Sequence, residues 1–268
     1  MVRINKNNLK EGRKMSITSS IKNILHVKWN PTRDTGVAFI LGFLSITVSL
    51  GLLLFSGNTT ADKIGFFVLR DLVMIFCFGF AFPLYYVLII KKESIKELGI
   101  TTDKWIVSLV ISIVLAILLL FQFMSEAGEL GQEILLNSNA ISPIFYLMVA
   151  GIYEVLFFYV FMRQRFENAF GIIPGIVLAA LFCSLSHVGF QPEFVKMFCV
   201  HAFFMSVFRT TKNVLIVYPF FWGVGACWDV LVSFGAMERL EDAWIKGVVV
   251  LILMIIFAIY LKCRMKKT

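Results

Sequence analysis

Eight apolar segments, at roughly 36–56, 66–90, 105–124, 141–162, 172–190, 194–209, 213–234 and 244–261, recur along the 268 residues. Most are close to the ~20 residues that a helix needs to cross a bilayer. In hydrocarbon every backbone N–H and C=O must be satisfied within the protein, which favours helices. The sequence therefore predicts an all-α, polytopic membrane bundle of about eight transmembrane helices. Charge supports this: 16% of residues are charged, against about 25% in soluble domains, and mean hydropathy is +0.85. The organisation predicted is a basic arm over 1–35, a membrane bundle over 36–262 and a basic tail over 263–268. The first long apolar run begins only near Gly36 and lacks a following small-residue cleavage site, so it reads as a span and not as a leader.

The distribution of charge orients the bundle. Lys91, Lys92, Lys96 and Lys104 follow the second segment, Arg163 and Arg165 the fourth, Arg209 and Lys212 the sixth, and Lys262, Arg264, Lys266 and Lys267 the eighth. The alternate loops carry Glu126, Glu129 and Glu133, then Glu193 with Lys196, then Glu238, Arg239, Glu241 and Asp242. Basic residues concentrate on the cytoplasmic side, which predicts that both termini are cytoplasmic. The net charge of +8 is thus used for orientation in a lipid bilayer, and no nucleic-acid partner is predicted. Arg70 and Asp71, at the start of the second segment, read as an interfacial pair. The five cysteines are dispersed without a CxxC pair and read as buried thiols.

Ionisable residues inside the apolar segments need a reason to be there, since a charged side chain near the bilayer centre costs about 2.5–3.5 kcal/mol on insertion scales. Glu154 in the fourth segment, His187 in the fifth, His201 in the sixth and Asp229 in the seventh are such residues. A reversal near Gly171 would place Glu154 and His187 each about sixteen residues from the turn, roughly 24 Å along two antiparallel helices. His201 lies eight residues from Arg209 and Glu154 nine from Arg163, at similar depths of roughly 12–14 Å. Each residue alone has a plain structural reading: a hydrogen bond between helices for Glu154, a backbone partner for His187, headgroups or a polar neighbour for His201, water or a cap for Asp229. Together they form a set in which imidazoles suit zinc and a carboxylate can act as base toward water.

The segment EVLFFYVFMRQRFENAFG followed by LAALFCSLSH resembles the core of the CPBP family, also called the Abi or CAAX-protease family, of intramembrane metalloproteases. That family carries EExxxR on one helix, FxxxH on the next and Hxxx(N/D) on a later one. The resemblance covers roughly residues 140–235 and implies Glu154, His187 and Asp229 as catalytic positions, with zinc as cofactor. Val155 stands for the second glutamate, Tyr159 for the arginine, Cys183 for the phenylalanine and Gly225 for the second histidine. His201 offers a second imidazole to join His187 as metal ligand.

Three functions remain open at this level. One is an intramembrane endopeptidase acting on a peptide or membrane-protein substrate, of CAAX type or in bacteriocin processing and self-immunity, in a cell membrane of the bacterial plasma-membrane kind. Another is a non-catalytic relative that serves as scaffold or regulator for an envelope or cell-wall partner. The last is a proton-coupled transporter, against which stands the absence of any visible internal repeat.

Overall fold

The structure is a computed structural model that describes residues 22, 24–187, 193–233, 240 and 242–266. Among the described residues it is all-helical, without strands. Five helices among the described residues are long and apolar enough to cross a membrane: α1 (Arg33–Phe55), α2 (Thr60–Ile90), α3 (Trp105–Leu136), α4 (Ser138–Phe170) and α8 (Ala243–Met265). Two shorter apolar helices, α5 (Ile172–Leu185) and α7 (Phe220–Ser233), accompany them. α6 (Phe194–Thr211) has 18 residues and carries Lys196, His201 and Arg209.

All eight predicted segments therefore contain a helix, with different lengths. The fifth stops at Leu185, short of the predicted 190. At 14 residues it is about 21 Å long, less than the ~30 Å hydrocarbon core. Apolar composition alone could not reveal that the chain turns at Ser186 and His187, where both side chains bond back to the Cys183 carbonyl. At the other end, the first helix begins at Arg33, capped by Thr32, whose hydroxyl accepts from the Thr35 N–H at 3.4 Å. The predicted arm over 1–35 falls largely on residues outside those described.

α4 is the central helix. In its most apolar window 67% of residues are buried inside the protein, against 17% for α3 and 22% for α8. α8 packs on its first half, α2 on its middle and α5 on its last turns. Large apolar side chains on the outer helices, such as Phe121, Leu54 and Ile256, remain exposed, as expected of surfaces that lipid covers.

The α4–α5 reversal is a single residue. Gly171 adopts φ +100°, a conformation that glycine tolerates at least cost. A Cβ there would also lie 2.2 Å from the carbonyl oxygen of His26. The chain just before α1 runs over this turn, with the Lys28 and Asn30 N–H groups bonded to the Phe170 and Ala169 carbonyls.

Arg163 and Arg165, placed by the sequence in a loop, instead lie on the last turns of α4 and are buried. Arg163 pairs with Glu167 at 2.5 Å and packs over Phe208; Arg165 packs over Phe161. Asp71 likewise departs from the interfacial expectation. It is fully buried and accepts a hydrogen bond from the Tyr146 hydroxyl, while Arg70 packs over the Tyr146 ring. Asp71 thus finds on a neighbouring helix, and Arg163 within α4 itself, the polar partner that water would otherwise provide.

Close approach of α2 and α4 depends on Gly79, where a Cβ would come within 2.6 Å of the Tyr153 Cα. An alanine would gain about 0.5–1 kcal/mol from helix propensity, but overpacking against backbone costs about 1–3 kcal/mol, so the clash wins. Gly79→Ala should lower stability in detergent by about 1–2 kcal/mol, whereas Gly36→Ala, with no atom within 4 Å, should be neutral or mildly stabilising. Chemical unfolding of both variants checks the contrast.

Candidate active site

The acid comes from the middle of α4. Over Tyr153–Met162 this helix widens to an i→i+5 hydrogen-bond pattern. In a regular α-helix residues five apart are separated by roughly 140° around the axis; in the wider turn they lie nearly above one another. Tyr159, five residues after Glu154, is thereby brought over it, and its hydroxyl lies 3.1 Å from Glu154 Oε2.

The reversal at Gly171 brings α5 back alongside α4, and His187 Nε2 lies 3.1 Å from Glu154 Oε1. α6 adds His201, whose Nδ1 is 2.8 Å from the Tyr159 hydroxyl and 3.8 Å from Glu154 Oε2. The two imidazole rings are 5.1 Å apart between centroids. From α7 the Trp222 indole N–H donates to Glu154 Oε2 at 2.8 Å. That reach depends on Gly151, one turn before Glu154, where a Cβ would stand 2.4 Å from the indole ring.

Donor and acceptor chemistry assigns the protons. A carbonyl only accepts, so the 2.7 Å contact between His187 Nδ1 and the Cys183 oxygen makes Nδ1 an N–H donor. The 3.1 Å contact between His187 Nε2 and Glu154 Oε1 then shares one hydrogen between the two atoms. The Tyr159 hydroxyl has one proton. If it goes to Glu154, His201 Nδ1–H donates to the phenol oxygen and Nε2 carries the lone pair. His201 Nε2 is buried and has no hydrogen-bond partner among the described residues.

Glu154, Tyr159, His187, His201 and Trp222 line one cavity of about 380 Å³, together with Gly225, Asp229 and Lys196. The remaining wall is largely aromatic and aliphatic, including Phe123, Phe204 and Phe221. Asp229 reaches this cavity but its carboxylate is ion-paired with Lys196, which also holds Glu193 at 2.8 Å. At Gly225 a Cβ would find ordinary contacts, 3.5 Å from Phe204. His201 thus approaches Glu154 from α6, while Gly225 offers no side chain from α7.

The residues present suit a metal. One ligand atom from each of Cys183, His187 and His201 lies within 4.8 Å of the others. Both imidazoles have Nδ1 occupied by an oxygen partner, the arrangement that orients metal-ligating histidines, and His201 retains a buried nitrogen with nothing to bind.

Sequence reasoning did not single out Trp222. The available signal was an indole N–H deep in an apolar segment, a donor that needs a partner once buried. A double-mutant cycle between Trp222→Phe and Glu154→Gln should give a coupling of about 0.6–1.7 kcal/mol, the range for hydrogen bonds between membrane helices. Unfolding equilibria in detergent provide the measurement; additive effects would remove the indole–carboxylate bond from the account.

Comparison with known proteins bears on the family. Residues 136–227 match the family model described as type II CAAX prenyl endopeptidase Rce1-like. The matched stretch contains Glu154, His187, His201 and Trp222 and ends just before Asp229. No curated protein and no solved structure matches the chain significantly. The resemblance to this family is thus borne out over residues 136–227, which are similar to the Rce1-like, CAAX-protease-type model of the CPBP family within a membrane protein.

Proposed function

We propose that this protein is an intramembrane, metal-dependent endopeptidase that cleaves a peptide or membrane-protein substrate within the α4–α7 cavity. The observation that carries the reading is the Glu154 carboxylate, held at one cavity wall by Trp222, Tyr159 and His187, with a second imidazole alongside. Such restraint orients a general base, whose usefulness depends on being within hydrogen-bond reach of the proton that it takes.

In this reading Glu154 removes a proton from the attacking water and returns it to the amine nitrogen as the peptide C–N bond breaks. Tyr159 and Trp222 hold the carboxylate so that one oxygen, Oε1, is left toward His187. Tyr159 stands where the family places arginine, and its phenol links the base to His201. His187 and His201 would hold the metal; bound there, zinc would supply Lewis-acid activation of carbonyl and water. Asp229, paired with Lys196, contributes a charge pair on the wall. The apolar lining suits a hydrophobic segment of substrate, and the surrounding bilayer supplies both solvent and route of entry. Processing of peptides or of bacteriocins in a bacterial plasma membrane is the setting that we favour.

Cleavage of a membrane-anchored peptide reporter by the purified protein in nanodiscs tests this. Glu154→Gln should lower turnover about 10²–10⁴-fold, and His187→Ala should abolish it with the protein still folded. Normal processing by both variants would overturn the proposal and favour a scaffold built on the same bundle.

A further inference from the structure

Cys183 stands where the family motif has phenylalanine, and the exchange replaces an inert ring by a potential ligand beside the two imidazoles. It is fully buried, lies one helical turn before His187, and its sulfur lies within 4.8 Å of ligand atoms of His187 and His201. We infer that Cys183 is the third ligand of a Cys–His–His metal site, taking a zinc-like divalent ion. This rests on the metal-dependent reading above and specifies it.

The distances favour a tetrahedral ion. Zinc bonds sulfur at about 2.3 Å and nitrogen at about 2.0–2.1 Å, so ligand atoms around it stand roughly 3.3–3.6 Å apart. Separations within 4.8 Å exceed these by at most about 1.5 Å. Backbone and hydroxyl partners already orient both imidazoles: the Cys183 carbonyl binds His187 Nδ1 and the Tyr159 hydroxyl binds His201 Nδ1. His201 Nε2 is left buried and without a partner among the described residues.

The ligand count also balances. Gly225 removes an imidazole that the family motif supplies from α7, and a catalytic zinc site needs three protein ligands with a fourth position open. His201 restores one nitrogen and Cys183 adds a sulfur, which leaves Glu154 outside the ligand set as base. A coordinated thiol is deprotonated, so its charge offsets that of the ion inside an apolar bundle.

Cobalt(II) substitution reads the sulfur directly. Full-length protein in detergent is stripped with chelator, reloaded with Co(II) and examined by absorption, alongside Cys183→Ala and Cys183→Ser. We expect one equivalent of Co(II), visible bands of a tetrahedral ion and a near-ultraviolet thiolate-to-cobalt charge-transfer band. Both variants should lose that band and bind Co(II) at least about 10–100-fold more weakly, the loss known for groups that only support a ligand. Bound cobalt without the band in the wild-type protein, or a band that persists in both variants, overturns the inference. Since the wild-type spectrum alone can fail, a variant that does not fold leaves the test intact. Retained Glu154-dependent cleavage without the band refutes Cys183 as ligand while sparing the endopeptidase; the band with cleavage indifferent to Glu154→Gln does the reverse.

Discussion

A carboxylate inside an apolar helix is the constraint on which the centre of this bundle depends. Glu154 occupies a helix that is otherwise almost wholly aromatic and aliphatic from Tyr153 to Met162. In such surroundings polar groups left without partners are costly. Three of the elements beside α4 each supply one: His187 from just beyond α5, His201 through Tyr159 from α6, and Trp222 from α7. The arrangement of α5, α6 and α7 about α4 is therefore also the arrangement of donors about one acid.

Backbone shape makes those contacts reachable. The widened turn of α4 aligns Tyr159 with Glu154, and Gly151 admits the Trp222 indole across the helix surface. Gly171 turns the chain in one residue, which is why α5 returns at once along α4. Had the reversal been longer, His187 would stand at a different level from the acid. The short α5 ends beside the site, and His187, just beyond its last turn, reaches Glu154.

The four altered motif positions are not equivalent in this setting. Val155 is buried among apolar neighbours and simply removes a carboxylate. Tyr159 replaces a cation by a neutral phenol that both supports Glu154 and reaches His201. Gly225 leaves its place on the cavity wall without a polar group. Cys183 brings a sulfur close to both imidazoles. The two imidazoles near Glu154 thus come from just beyond α5 and from α6.

Hydropathy alone determined that this is a helical membrane bundle, because a run of about 20 apolar residues has few other solutions. Position along the chain placed Glu154 and His187 at one depth, since a single tight turn separates them. Sequence did not show where α5 ends, that Arg163 and Arg165 are buried, or that Trp222 donates to the acid. Those facts depend on contacts between residues far apart in the chain, which linear periodicity does not encode. Whether His201 faced lipid or its neighbours was equally open, because depth says nothing about rotation around a helix axis. Only tertiary packing decided that it turns inward, where the Tyr159 phenol and the charge of Glu154 offer the polar partners that lipid lacks.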